Sequence, residues 1–273
     1  MNYIQAIILG IVQGITEFLP ISSSGHLVIV PYLLNWNIPA EQIFPFNVLI
    51  QLGTIVSVII YFWKDLINII KDFVSGIFEP RPFYNEKTRI GWMIVIATIP
   101  AVIAGLLIKN LVESAFQSIL AVAIFLIVTA ILLFIAEKFG TQTKNMKEIN
   151  WKNAIVIGLF QVLSLFPGIS RSGSTISGGV LQGFKRKEAA RFSFLMSIPI
   201  MIGAGILSLK DLMDVPNLQD FLPILLIGFF TSGIVGYLSI HWLLKFLNER
   251  RLTVFSIYCL ILSLVIIVVY LIK

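Results

Sequence analysis

Six stretches of this chain carry no acidic or basic side chain over nearly the length that a bilayer core of about 30 Å demands of a helix, roughly 20 residues. They are Ile43–Trp63, Gly91–Ile108, Phe116–Ala136, Phe192–Leu209, Phe221–Leu244 and Leu252–Ile272. Only 12% of the 273 residues are charged and 58% are hydrophobic, whereas a soluble domain holds about 25% charged residues. The formal charge of +6 would suit a nucleic-acid binder, but the basic residues fall between the apolar runs, as in the loops of a membrane protein. No nucleic-acid partner is expected. The single cysteine, Cys259, excludes an intrachain disulfide, and the first residues do not read as a cleaved signal peptide because they lack a basic n-region.

Four further apolar pieces, Met1–Thr16, Leu27–Leu34, Asn153–Phe166 and Ser174–Phe184, are too short to span. They form two pairs, each interrupted by a segment rich in Pro, Ser and Gly. Irregular backbone at membrane depth is tolerated where protein or a water-filled cavity satisfies it, so each pair reads as a re-entrant hairpin; a kinked ordinary helix is the alternative. Basic residues concentrate in Lys64–Arg89, Lys138–Lys152, Lys185–Arg191 and Lys245–Arg251. Under the positive-inside rule these loops are cytoplasmic. The first hairpin then enters from outside, the second from inside, and both termini lie outside. Between its charges, Lys64–Val74 reads as an amphipathic interfacial helix, followed by a loop with Pro80 and Pro82.

The hairpins match at a constant offset of 148 residues: Gly10 with Gly158, Gln13 with Gln161, Ile21-Ser22 with Ile169-Ser170, and Ser24-Gly25 with Ser172-Gly173. Ser23 falls opposite Arg171 in this register. The expected architecture is an all-α integral membrane protein, a single membrane domain over 1–273. It has six transmembrane helices plus two re-entrant helical hairpins in an inverted-topology repeat of about 1–140 and 150–273. Such repeats place a site at the midplane where two broken elements meet.

The chemistry-bearing residues lie in the hairpins. Gln13 and Glu17, four apart, share one helix face, and a carboxylate in hydrocarbon marks function unless it reaches the interface. Ser22, Ser23, Ser24 and Gly25 precede an apolar helical piece, a position that supplies both caps and phosphate-binding amides. His26 is close enough in sequence to Ser23 for a nucleophile-and-base pairing. In the second hairpin, Gly168, Ser170, Ser172, Gly173, Ser174 and Thr175 surround Arg171, whose guanidinium suits phosphate oxygens or an ion pair with Glu17. Asn47, Gln51 and Thr54 either line the polar end of a lipid groove or make interhelical hydrogen bonds.

The stretch Gln13–His26, with Glu17 and Pro20-Ile21-Ser22-Ser23-Ser24-Gly25-His26, resembles the first signature of the membrane undecaprenyl-diphosphate phosphatases of the bacitracin-resistance type. Pro167–Thr175 resembles the second. The resemblance implies removal of the terminal phosphate from undecaprenyl diphosphate at an outward-facing site in the bacterial cell membrane. That reaction recycles the carrier lipid for cell-wall synthesis and confers bacitracin resistance. The implied partners are an isoprenoid lipid diphosphate and membrane lipid, with room for a homo-oligomer. No organic cofactor is implied. A divalent cation, Mg²⁺ or Ca²⁺, is expected to join a carboxylate to the phosphate oxygens; Gln13, where many members have Glu, and Glu17 are its candidate protein ligands.

On this reading Glu17, Ser23, His26 and Arg171 are the catalytic set. Ser23 attacks phosphorus, Arg171 stabilises the phosphoryl oxygens, Glu17 takes the serine proton or holds the cation, and His26 activates water. Exchanging Ser23 and His26 gives the alternative nucleophile. A lipid-phosphate transporter or flippase is the rival function, since inverted repeats also build carriers.

Overall fold

A computed structural model describes residues 1–77, 86–213 and 218–273. Among the described residues the chain is helical: α1 (Tyr3–Thr16), α2 (Ser23–Leu33), α3 (Ala40–Tyr61), α4 (Trp63–Gly76), α5 (Glu86–Leu107), α6 (Lys109–Phe116), α7 (Ile119–Phe139), α8 (Trp151–Leu163), α9 (Arg171–Leu181), α10 (Arg186–Met213), α11 (Leu218–Glu249) and α12 (Thr253–Ile272), with a 3₁₀ turn at Met146–Glu148. Six of these are long and apolar enough to cross a membrane: Glu41–Tyr61, Thr88–Leu107, Ile119–Phe139, Arg186–Ile206, Phe221–Glu249 and Thr253–Ile272. They coincide with the six uncharged runs to within several residues. Large apolar side chains such as Ile60, Leu106, Phe134, Ile234 and Leu264 stand exposed around the bundle, which suits a lipid solvent and not water.

The short pairs are α1–α2 and α8–α9. At 14 and 13 residues, α1 and α8 rise only about 20 Å each at 1.5 Å per residue, and each is followed by an irregular turn and a short second helix. α2 and α9 begin several residues before the apolar stretches suggested, because a serine starts each of them. Two other boundaries also differ from expectation. Between the runs Gly91–Ile108 and Phe116–Ala136 a short helix covers Lys109–Phe116, and α7 starts at Ile119 because Ser118 accepts the amide of Ala121 at 3.2 Å and caps it. α4 is the expected amphipathic helix, packed on α5 with Gly91 against Phe73 and tied to α10 through Asp65 and Arg191 at 2.9 Å. Pro80 and Pro82 lie outside the described residues.

Small residues bring the hairpins against the long helices. A Cβ on Gly14 of α1 would lie 2.9 Å from both Gly236 N and Ser232 O of α11, and one on Gly158 of α8 would lie 2.5 Å from Ala97 O of α5. Backbones that meet this closely gain dispersion contacts that lipid cannot replace. α1 thus lies along α11 and α8 along α5, while α3 packs on α11 and α5 on α10. Phe18, Phe194, Met93, Leu126, Ile157 and Val180 belong to the main core beneath the turns. The Met1 amino group donates to Gln42, and Lys273 Nζ donates to Asn35 Oδ1 at 2.6 Å, so both chain ends sit at the end of the bundle that carries the α2–α3 turn.

Candidate active site

Each second hairpin helix starts on the same local plan. Ser22 Oγ accepts the Gly25 amide at 3.2 Å and lies 3.3 Å from Ser24 Oγ; Ser170 Oγ accepts the Gly173 amide at 3.0 Å and lies 3.1 Å from Ser172 Oγ. Ser22 and Ser170 are therefore N-caps. The amides of Ser23 and Ser24, and of Arg171 and Ser172, precede the capped amide in each helix and point where an anion is favoured. Ser22 enters its helix at φ 72°, a left-handed conformation that costs a non-glycine residue energy and often marks a functional turn.

The two helix starts cross in contact. A Cβ on Gly25 would lie 3.3 Å from Gly168 Cα, and one on Gly173 would lie 3.4 Å from Pro20 Cβ; the two contacts are equivalent under the 148-residue offset. Gly168 has φ 100°, open to glycine without a Cβ penalty. Its carbonyl accepts from Thr129 Oγ1 at 2.9 Å, and the same hydroxyl accepts the Ser170 amide at 3.0 Å. Ser172 Oγ donates to Leu19 O at 3.1 Å, which stitches one hairpin to the other.

Glu17 stands at this crossing, 5% exposed. Its Oε2 accepts from Ser23 Oγ at 2.6 Å and from Gln13 Nε2 at 2.9 Å, and its Oε1 accepts from Arg171 Nη2 at 3.0 Å. Three donors converge on this one buried carboxylate and aim it. Arg171 retains 14% side-chain exposure, and its Nε is buried without a partner, so the guanidinium keeps donor capacity for a second anion. Gln13 Oε1 is likewise buried and unpartnered beside Glu17. An orphaned amide oxygen next to a carboxylate is a donor set that a hard divalent cation accepts. Among the described residues no group of three or more His, Cys, Asp or Glu side chains gathers, so most of such a cation's shell would come from substrate and water.

His26 is buried on the same helix, but it does not pair with Ser23. Its Nδ1 contacts Ser22 O at 2.7 Å and its Nε2 contacts Tyr258 OH at 2.8 Å, with the two rings stacked at 5.8 Å. A carbonyl only accepts, so Nδ1 carries the proton, and in the neutral ring Nε2 accepts from the tyrosine hydroxyl. In the second hairpin the hydroxyls serve the scaffold: Ser174 and Thr175 donate to Arg171 O at 3.1 and 2.7 Å. Thr175 Oγ1 also lies 2.6 Å from Ser193 Oγ, and Ser193 O accepts from Arg171 Nη1 at 3.4 Å. Thr54 Oγ1 donates to Gln51 O within its own helix, whereas Asn47 Oδ1 is buried without a partner.

Sequence reasoning missed Thr129, Ser193 and Tyr258, which hold the second turn, Arg171 and His26. A lone Thr in the apolar α7 was the only available hint for the first. Tyr258 sits 232 residues from His26, and nothing in its own segment announces that contact.

The fold and site define a multi-pass helical membrane protein in which a buried carboxylate and a partly buried serine and arginine meet where two short helix pairs touch. The family model of the bacitracin resistance protein BacA matches residues 6–265, and the chain belongs to that family. It is 43% identical to the undecaprenyl-diphosphatase of Methanosphaera stadtmanae over 98% of each chain. It is 44% identical to that of Chlorobium limicola over 96% of this chain and 95% of the other, and 40% identical to that of Myxococcus xanthus over 94% and 86%.

Proposed function

We propose that this protein is an undecaprenyl-diphosphate phosphatase that releases the terminal phosphate and returns the monophosphate carrier lipid. The carrying observation is the buried Glu17, bonded at once to a nucleophile-bearing Ser23 and to the anion-binding Arg171. A carrier would need the arginine clamp but not a hydroxyl poised on a carboxylate. The relatives of similar length, whose names state this activity, support the same reading.

In the mechanism, Ser23 Oγ attacks the terminal phosphorus as its proton passes to Glu17 Oε2, and the bridging oxygen leaves with the lipid monophosphate. Arg171 turns its free donors, with the amides of residues 23–24 and 171–172, to the equatorial phosphoryl oxygens. Water then attacks the phosphoseryl phosphorus, losing a proton to His26 Nε2 once Tyr258 yields its hydrogen bond, while Glu17 returns its proton to the departing Ser23 Oγ and inorganic phosphate is released. A divalent cation, Mg²⁺ or Ca²⁺, would be held by Glu17 and Gln13 Oε1 and would neutralise diphosphate charge. Both hairpins are read as re-entrant halves of an inverted repeat, supported by their equivalent caps and crossing contacts and by the paired packing of α1 on α11 and α8 on α5. The basic loops are read as cytoplasmic, which puts both termini and the site's opening outside. The isoprenoid tail is read into the apolar groove of about 390 Å³ between α3 and α11, lined by Gly53, Ser57, Gly233 and Tyr237; Phe18 lies beside the neighbouring Gly236.

The test is phosphate release from undecaprenyl diphosphate by the purified protein. Release is expected from the wild type and not from Ser23→Ala or Arg171→Ala; undiminished release in either folded variant would reject the site.

A further inference from the structure

The last turn of α7, the loop after it and the first turns of α10 and α12 enclose a cavity of about 550 Å³ that shares no lining residue with the candidate active site. It lies at the end of the bundle opposite the chain termini, among the basic loops. Its one carboxylate, Glu137, is already engaged: Arg186 pairs with both of its oxygens, and the Leu252 amide donates to Oε2 at 3.1 Å. Two further cations, Lys138 and Arg251, line the same cavity and are exposed. Among the described residues neither lies within ion-pair distance of a carboxylate. Three cations against one carboxylate leave a surplus of positive charge among the residues that line the cavity.

The wall of the cavity decides what kind of anion fits. Phe134, half exposed, lines the cavity one turn of α7 before Glu137 and Lys138, on the side of the apolar run, and Phe139, outside the lining but 65% exposed beside it, lies under Lys138 Nζ at 5.4 Å from the ring centroid. Cations at the rim with the exposed apolar surface of Phe134 on the side of the spanning segment match an acidic headgroup above acyl chains, and basic pockets between helix ends are known to take such headgroups. We propose that this cavity binds the phosphate headgroup of an anionic phospholipid from the leaflet on the basic side, separately from the substrate. The three helices that converge there carry Thr129, Ser193 and Tyr258, the supports of the candidate site, so a lipid bound at their ends braces that scaffold. The proposal does not depend on the hydrolase reading.

The test uses the full-length protein in detergent, titrated with phosphatidylglycerol, phosphatidylcholine or inorganic phosphate and followed by native mass spectrometry and thermal unfolding. Phosphatidylglycerol is expected to be retained and to raise the melting temperature, and phosphatidylcholine to do neither. Lys138→Gln and Arg251→Gln are each expected to weaken phosphatidylglycerol about fivefold, and the double variant about 25-fold, whereas Lys138→Arg/Arg251→Lys keeps wild-type binding. If the double variant melts early without lipid, the single variants carry the same comparison. Equal retention of phosphatidylglycerol in the variants, or equal retention of phosphatidylcholine by the wild type, overturns the proposal. Protection by inorganic phosphate as strong as that by phosphatidylglycerol overturns the lipid headgroup in favour of a free anion.

Discussion

Arg171 Nη2 lies 3.0 Å from Glu17 Oε1, joining side chains 154 residues apart on two different short helix pairs. The Glu17 side chain is 4% exposed and that of Arg171 14%. Removing one partner of such a pair strands the other, at a cost of about 3–5 kcal/mol, whereas neutralising both costs far less. Glu17→Gln alone should therefore melt well below wild type, and Glu17→Gln/Arg171→Gln should recover much of the loss while remaining inactive. A double-mutant cycle of melting temperatures checks this; a purely additive cycle would show that the pair contributes no coupling.

Ser23→Ala removes the hydroxyl proposed as nucleophile and leaves the Ser22 cap in place. Phosphate release should fall at least about a thousandfold, a loss on the scale of removing a group that acts only in the transition state. In the wild type, acid-quenched protein given labelled substrate should carry phosphate on Ser23. Label mapped to His26 would assign the nucleophile to the imidazole instead.

Tyr258→Phe deletes one hydroxyl and leaves the ring that stacks on His26. That hydroxyl occupies His26 Nε2, which must be freed before it can act as base, and one hydrogen bond is worth about 1 kcal/mol, so kcat should hold or rise up to about fivefold with little change in KM. A loss confined to KM would place the tyrosine in substrate binding.

The crossing of the hairpins has no room for a methyl group on Gly173, whose Cβ would meet Ser170 Cβ at 2.9 Å; Gly203 has nothing within 4 Å. Gly173→Ala should destabilise by about 1–3 kcal/mol through overpacking and lower activity by displacing the cap beside Arg171. Gly203→Ala should be neutral or mildly stabilising. Thermal unfolding of the two variants side by side makes the comparison.

Gln13 Oε1 and Glu17 offer a cation one neutral and one charged oxygen donor. A chelator should stop phosphate release, and Mg²⁺ or Ca²⁺ should restore it. Gln13→Glu should lower the cation concentration for half-maximal activity by about tenfold, since a second carboxylate adds charge to the same shell. Unaltered activity in chelator would remove the cation from the reaction.

Much of this architecture was legible in the chain, because the constraint is severe. An uncharged run such as Phe221–Leu244 has few alternatives to a spanning helix, and pieces as short as Tyr3–Thr16 cannot span. The meeting of Glu17 with Arg171 was legible for a similar reason, since charges in hydrocarbon must find partners. The wiring of the hydroxyls was not. A serine that caps a helix and a serine that binds phosphate occupy the same kind of position, and only geometry separates Ser22, engaged with Gly25, from Ser23, engaged with Glu17. The expected His26–Ser23 pairing failed because the imidazole found Ser22 O and Tyr258, a neighbour supplied by the tertiary fold alone.

Ser23 and Arg171 are each the first residue of a helix behind a serine cap. Superposed by the offset, they are the same position answered in two ways. A crevice built from like arms would grip a phosphate identically from either side and have no reason to cut it. On the proposed mechanism the difference at this position, with Glu17 standing where the other arm has Leu165, gives the crevice a direction: one wall attacks, and the other absorbs the charge that the attack creates.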